Sequence, residues 1–81
     1  MGREYKILCK PMGGADLQHL LLQLPPPFKR SQMVEIYNYA VQDDGYYFID
    51  HLVDRKVAAS GFQIFLDAAL SNNEAVTVIE P

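Results

Sequence analysis

The sequence predicts an α+β domain in which the elements follow one another in the order β-α-β-β-α-β. Residues 34–53 hold two runs rich in β-branched and aromatic side chains on either side of Asp43-Asp44-Gly45, which predicts a β-hairpin. A leucine-rich segment with helical spacing precedes the hairpin, and a second apolar helical period follows it. Short runs typical of strands lie near both ends of the chain.

The first strand and the first helix are predicted within residues 4–24. Residues 4–10 alternate between polar and apolar side chains, as in a half-buried strand, with Cys9 on the more apolar side. Pro11 and the two glycines that follow break this strand, and we expect Asp16 to cap a short leucine-rich helix. The run Pro25-Pro26-Pro27 ends that helix, because proline lacks an amide hydrogen and restricts the residue before it.

The hairpin strands are predicted at residues 33–42 and 46–53, with Asp44-Gly45 at the tip and Gly45 at a positive φ. Two registers are open. A two-residue turn pairs Asn38 with His51 and Tyr39 with Asp50, whereas a three-residue turn pairs Tyr37 with His51 and Asn38 with Asp50. In both registers polar side chains meet inside an apolar hairpin, which is typical of a cross-strand hydrogen bond and also fits a titratable cluster.

The second helix is predicted to begin at Asp54 or at Ser60 and to end near Asn72 and Asn73, and residues 75–79 form the last strand. This order of elements is that of a ferredoxin-like two-layer sandwich, a four-stranded antiparallel sheet with two helices on one face. We expect residues 1–81 to form a single α+β domain.

Composition argues against several classes of function. A net charge of -3 and the lack of a basic stripe argue against nucleic acid as a partner. A lone cysteine, Cys9, forms no internal disulfide, and together with His19 and His51 it matches no structural zinc spacing, so we expect no metal and no cofactor. The chain has no apolar run as long as a membrane span, so we expect no membrane partner and a cytoplasmic location.

No group of side chains in the sequence predicts catalysis. Gly13-Gly14 precedes a helix, but Asp16 places a negative charge where a bound anion would lie. Cys9 is expected to be buried and unreactive. The first strand-to-helix connection contains no arginine to hold a phosphate, which argues against an acylphosphatase-like enzyme. The protein is therefore expected not to be an enzyme.

A partner-binding surface is predicted on the sheet. If the helices cover one face, aromatic side chains on the other face form an apolar patch that water covers poorly. Tyr37 and Tyr39 share one face of their strand, and Tyr46 and Phe48 share one face of the next; these four are the candidate partner-binding residues. The alternative is that these rings are ordinary half-buried residues of the sheet.

The expected function is a small protein-interaction or adaptor module that acts through the uncovered sheet face. Self-association as a homodimer is expected, because an 81-residue chain without disulfides or metals has a small core and gains stability from oligomerisation. The alternative is a regulatory domain that binds a small metabolite at a subunit interface, with residues 11–16 and the hairpin as pocket walls.

Overall fold

A computed structural model describes residues 2–81 of the chain. Its elements are β1 (Arg3–Leu8), α1 (Gly14–Leu22), β2 (Phe28–Lys29), a 3-10 helix (Arg30–Gln32), β3 (Val34–Glu35), β4 (Tyr37–Gln42), β5 (Gly45–Asp50), α2 (Arg55–Asn72) and β6 (Thr77–Ile79). Four strands form an antiparallel sheet in the order β4-β5-β1-β6, while β2 and β3 pair separately. The predicted α+β class, with its four-stranded antiparallel sheet and two helices, is confirmed. The short β2–β3 ladder and the 3-10 helix were not expected, and they separate α1 from the hairpin.

The ends of α1 follow from backbone chemistry. Its N-cap is Gly13, which provides no side-chain hydrogen bond, so the expectation that Asp16 caps this helix is wrong. Asp16 lies inside the first turn, where a carboxylate interacts favourably with the positive end of the helix dipole. The helix ends at Leu22, shortly before the three prolines, as predicted.

The β4–β5 hairpin turns on Asp43 and Asp44 rather than on Asp44 and Gly45. Gln42 pairs with Gly45 and Tyr37 pairs with Asp50, so neither expected register is observed. The positive φ of Gly45 is confirmed, at 146°. A Cβ at this position would lie 1.8 Å from the carbonyl oxygen of Ile7 in the neighbouring β1 strand. Glycine is therefore required by the close approach of β1 as well as by its own backbone conformation.

The second helix begins at the first of its two expected positions. Asp54 is its N-cap, and its Oδ1 accepts a hydrogen bond of 3.2 Å from the backbone N–H of Val57. The face of α2 that packs on the sheet carries mostly small residues. At Gly61 a Cβ would lie 3.2 Å from Cζ of Tyr37, so this position lets the helix approach the tyrosine ring closely. The last strand, β6, is shorter than expected.

Cross-strand pairing divides the side chains of the sheet between two faces, because residues directly opposite each other point the same way. The helix-covered face contributes Ile7, Tyr37, Tyr46 and Phe48 to a core completed mainly by Leu20 of α1 and by Ala58, Phe65, Ala68 and Ala69 of α2. We call the opposite side the open face; it comprises Glu4, Lys6, Leu8, Asn38, Ala40, Gln42, Tyr47, Ile49, Thr77 and Ile79. Within residues 2–81, the apolar side chains of the open face do not belong to the core cluster.

Candidate functional site

The four candidate partner-binding residues lie on the helix-covered face. Tyr37, Tyr46 and Phe48 are 0% exposed, and Tyr39 retains 37% exposure. The ring of Phe65 in α2 lies 5.2 Å from the rings of both Tyr39 and Tyr46. The expectation that these four rings lie on the uncovered face is therefore wrong, because the helices pack on the more aromatic side, where burial is more favourable.

The role of these four residues in partner binding stays a prediction. Among the four, Tyr39 alone is exposed enough to contact a partner of the folded chain. The open face lies on the other side of the same strands, and its apolar side chains lie outside the core cluster of the described residues.

The buried tyrosines hold both ends of the segment that contains α1. The hydroxyl of Tyr37 donates to the carbonyl of Pro25, and the hydroxyl of Tyr46 accepts a 2.8 Å hydrogen bond from the N–H of Met12. Burial raises the pKa of Tyr37 to about 12, and the nearby Tyr39 adds to the increase. Burial also raises the pKa of Tyr46, although the bond from Met12 acts against it. Both phenols therefore stay protonated and able to make these bonds at neutral pH.

Lys6 is the centre of the polar contacts on the open face. Its side chain is 11% exposed, and its ammonium lies 2.6 Å from a carboxylate oxygen of Asp44 at the hairpin turn. It also donates to Oε1 of Gln42. The hydrogen bond from Lys6 lowers the pKa of Asp44, because it stabilises the ionised carboxylate. Sequence reasoning missed this contact; alternation places Lys6 on the polar side of β1, but its pairing with Asp44 depends on the strand register.

Apolar and half-buried side chains surround Lys6. Tyr47 lies directly opposite it, and the Tyr47 hydroxyl donates to Oε1 of Glu4 at 2.7 Å. This bond raises the pKa of Tyr47, because the carboxylate stabilises the protonated phenol. Leu8, Ala40 and Ile49 are half-buried, and Ile79 is 42% exposed. The open face therefore has mostly apolar side chains at its centre. The charged groups beside them, Lys6 and Glu4, have partners within the chain.

The predicted meeting of polar side chains on the hairpin does occur, at a different register. Nε2 of His51 lies 2.5 Å from Oδ1 of Asn38 and 3.7 Å from a carboxylate oxygen of Glu35. The backbone N–H of His51 donates to the carbonyl of Ile36 at 3.0 Å, which holds the residue beyond the end of β5. This arrangement fits a cross-strand hydrogen bond. In the part of the chain that the structure describes, no three His, Cys, Asp or Glu side chains are placed to hold a metal ion.

Cys9 is half-buried and carries a free thiol. Burial raises the pKa of this thiol, and the charge of Lys6 acts in the opposite direction. Cys9 is therefore less buried than the sequence predicted. Its lack of reactivity stays a prediction, which the raised pKa supports because a protonated thiol is a poor nucleophile.

At least four recesses among the described residues have the size of small-molecule sites. One, of about 400 Å³, lies between α2 and strands β1 and β5, and its lining includes Tyr5, Asp50, Phe62 and Leu66. Another, of about 310 Å³, is lined by Lys10, Pro11, Met12, Gly13, Asp16 and Asn72. The second contains most of the predicted wall at residues 11–16, but the hairpin does not line it.

Neither helix of residues 2–81 has both the length and the apolar character needed to cross a membrane. No protein-family model, no curated protein and no solved structure matches this chain, so the case for a function rests on its own residues.

Proposed function

We propose that this domain is a small non-catalytic protein-interaction module that self-associates through the open face of its sheet. The observation that supports it is the centre of that face, where Leu8, Ala40, Tyr47 and Ile49 remain half-buried outside the core cluster. A sheet face that combines apolar side chains with a partnered charge, that of Lys6, is suited to contact with another protein.

A second copy of the chain is the occupant that the charges favour. Glu4 and Lys6 carry opposite charges two residues apart on the same face of β1, so the face has no strong excess of one sign. In a two-fold dimer the same patch contacts itself, which a face with both signs of charge opposes less than a face with one sign.

The dimensions of the open face limit the affinity. Three strands of six residues and one of three, about 4.8 Å apart and rising about 3.3 Å per residue, present about 330 Å² per copy. Two copies then bury about 660 Å², which is below the roughly 1,200 Å² of a standard stable interface. We therefore expect a weak dimer whose population depends on concentration.

Sedimentation velocity from about 10 µM to about 1 mM covers the range expected for such an interface. The wild type should shift from monomer to dimer over this range. Ile49→Lys places an ammonium in the apolar centre and should weaken association by about tenfold or more, because the charge loses water on binding.

The control is Leu22→Lys, the same type of change at a side chain that is 85% exposed on α1. It should associate as the wild type does. A wild type that stays monomeric throughout, or an Ile49→Lys variant that dimerises equally well, would rule out the homodimer.

The fold proposal is that the main sheet is ferredoxin-like and that β2, the 3-10 helix and β3 form an insertion between α1 and the hairpin. The order β4-β5-β1-β6 supports it, because β1 then lies between the last strand, β6, and the hairpin strand β5. An experimental structure in which β6 pairs with any strand other than β1 would contradict it.

The second candidate function is a regulatory domain that binds a small metabolite. The recess of about 310 Å³ beside Pro11 and Met12 supports it, since Tyr46 holds the Met12 backbone in place. A metabolite that raises the melting temperature and shifts the Gly13 amide resonance favours this candidate, whereas dimerisation without any such ligand favours the first. For either candidate we propose a cytoplasmic location, which the free thiol of Cys9 supports.

A further inference from the structure

We propose that the recess of about 400 Å³ between α2 and the sheet binds an organic ammonium ion, an amine carried on a small apolar body. Asp50 would hold the ammonium, and the rings of Tyr5 and Phe62 would contact both the cation and its apolar part. The recess lies on the helix-covered side of the sheet, so this site is independent of self-association through the open face.

Asp50 is a buried carboxylate with unused capacity to accept hydrogen bonds. Its side chain is 9% exposed, and its Oδ1 accepts a 2.8 Å hydrogen bond from the N–H of Leu52. The nearest cation to Oδ2 is Nε of Arg55, at 4.0 Å, which is too long for a hydrogen bond.

The second oxygen, Oδ2, is not fully enclosed by the protein. Among the described residues no fully enclosed side-chain oxygen lacks a hydrogen-bond partner, so Oδ2 must be accessible from outside. Asp50 lines the recess, and the recess provides that access. A carboxylate oxygen in such a partly desolvated position binds an N–H cation more strongly than one on the surface.

The walls of the recess are aromatic and attract cations. The rings of Tyr5 and Phe62 lie 4.8 Å apart, and Phe48 lies beneath them, 5.6 Å from Phe62. The guanidinium of Arg3 already lies 6.0 Å from the centre of the Tyr5 ring, over its face. Aromatic faces beside a carboxylate are the chemistry that recognises organic ammonium groups in proteins.

Arg55 and Arg3 are the groups that could instead favour an anionic ligand. The Arg55 side chain is 72% exposed and lies 4.0 Å from Asp50. Arg3 lies opposite Asp50 in the sheet, and its guanidinium is 3.7 Å from a carboxylate oxygen of Glu80. A carboxylate ligand would form an ion pair with Arg55 but would approach the buried charge of Asp50. An ammonium ligand would form an ion pair with Asp50, and the exposed Arg55 side chain can move away into water. The recess volume is at the lower end of the range for small-molecule sites, about 300–1,000 Å³, which limits the ligand to a small amine.

Three probes of similar size and different charge test the proposal by ¹H–¹⁵N NMR titration at neutral pH. 2-Phenylethylamine, which is an ammonium ion at this pH, should give saturable shifts at Tyr5, Phe62 and Leu66 and none at Tyr47 on the open face. It should bind about tenfold or more tightly than the neutral 2-phenylethanol, in line with one charged hydrogen bond. Equal or tighter binding of 3-phenylpropionate, or no saturable shift with the amine, would overturn the proposal.

Two variants identify the group that binds the amine. Asp50→Asn removes the charge but keeps an oxygen for the N–H of Leu52, and it should abolish the preference for the amine over the alcohol. Arg55→Ala removes the cation that contacts Asp50, and amine binding should be retained or tightened. Loss of amine binding in Arg55→Ala, or an unchanged preference in folded Asp50→Asn, would contradict the assignment. If Asp50→Asn does not fold, Arg55→Ala and the three probes on the wild type still show whether the recess prefers an ammonium or a carboxylate ligand.

Discussion

Tyr46 and Tyr47 are neighbours in β5 and differ completely in environment. Tyr46 is 0% exposed, and its hydroxyl accepts a bond from the Met12 backbone beside α1. Tyr47 is half-buried on the open face, and its hydroxyl donates to Glu4. The two residues are chemically identical, so the difference arises from the face of the sheet that each occupies.

The same contrast holds for the whole sheet. The helix-covered face contains aromatic and aliphatic side chains in contact with Phe65, whereas the open face alternates charged and apolar residues around Lys6. Fully burying one large apolar side chain contributes about 1.5–3 kcal/mol, so the helices pack where more of these side chains lie. One face therefore stabilises the fold and the other remains accessible.

The largest expected effect on the free energy of unfolding is the difference between truncating a ring on the helix-covered face and truncating one on the open face. Phe48→Ala should reduce the free energy of unfolding by about 3–5 kcal/mol, because it leaves a cavity in a closely packed core. Tyr47→Ala should reduce it by less than about 1 kcal/mol, as is usual for side chains near the surface. Urea denaturation followed by circular dichroism measures both. Similar losses for the two variants would mean that the helices do not distinguish the two faces.

A smaller effect is expected at the glycine that lets the strands pack closely. Gly45→Ala introduces a Cβ 1.8 Å from the carbonyl oxygen of Ile7, at a φ of 146°. The backbone strain alone is of order 1–3 kcal/mol, and displacement of β1 adds to it. Gly13→Ala is the control, since a Cβ there meets no atom within 4 Å. Comparable melting temperatures for the two variants would contradict the close contact of β1 with β5.

The smallest effect concerns the buried hydroxyl of Tyr37. Tyr37→Phe removes its bond to the Pro25 carbonyl and should lower the free energy of unfolding by about 1 kcal/mol at neutral pH. Burial raises the pKa of Tyr37 to about 12 in the folded chain, against 10.0 for a tyrosine exposed to water. The unfolded chain therefore releases this proton at lower pH, and the stability present below pH 10.0 is lost as pH rises towards about 12.

Urea midpoints at about pH 9 and about pH 11 test the linkage. The wild type should lose more stability between these values than Tyr37→Phe, although Tyr46 gives both proteins some alkaline sensitivity because its pKa is also raised. An equal loss in both proteins would show that Tyr37 ionises as easily in the folded chain as in the unfolded one.

Much of the fold was predictable because it depends on near neighbours. Proline without an amide hydrogen ends α1, the carboxylate of Asp54 caps α2, and the alternation along β1 separates two sets of side chains. The position of a strand or helix requires only the chemistry of a few consecutive residues.

The candidate sites were less predictable, because they depend on residues far apart in the chain. The sequence by itself determined that Tyr37 and Tyr39 share one face of their strand, and that Gly45 has a positive φ. Only the tertiary structure decided the register, the face that the helices cover, and the meeting of Lys6 with Asp44, which is 38 residues away. Alternation is symmetric with respect to the two faces of a sheet, so packing against α2 determines which tyrosines become core and which remain accessible.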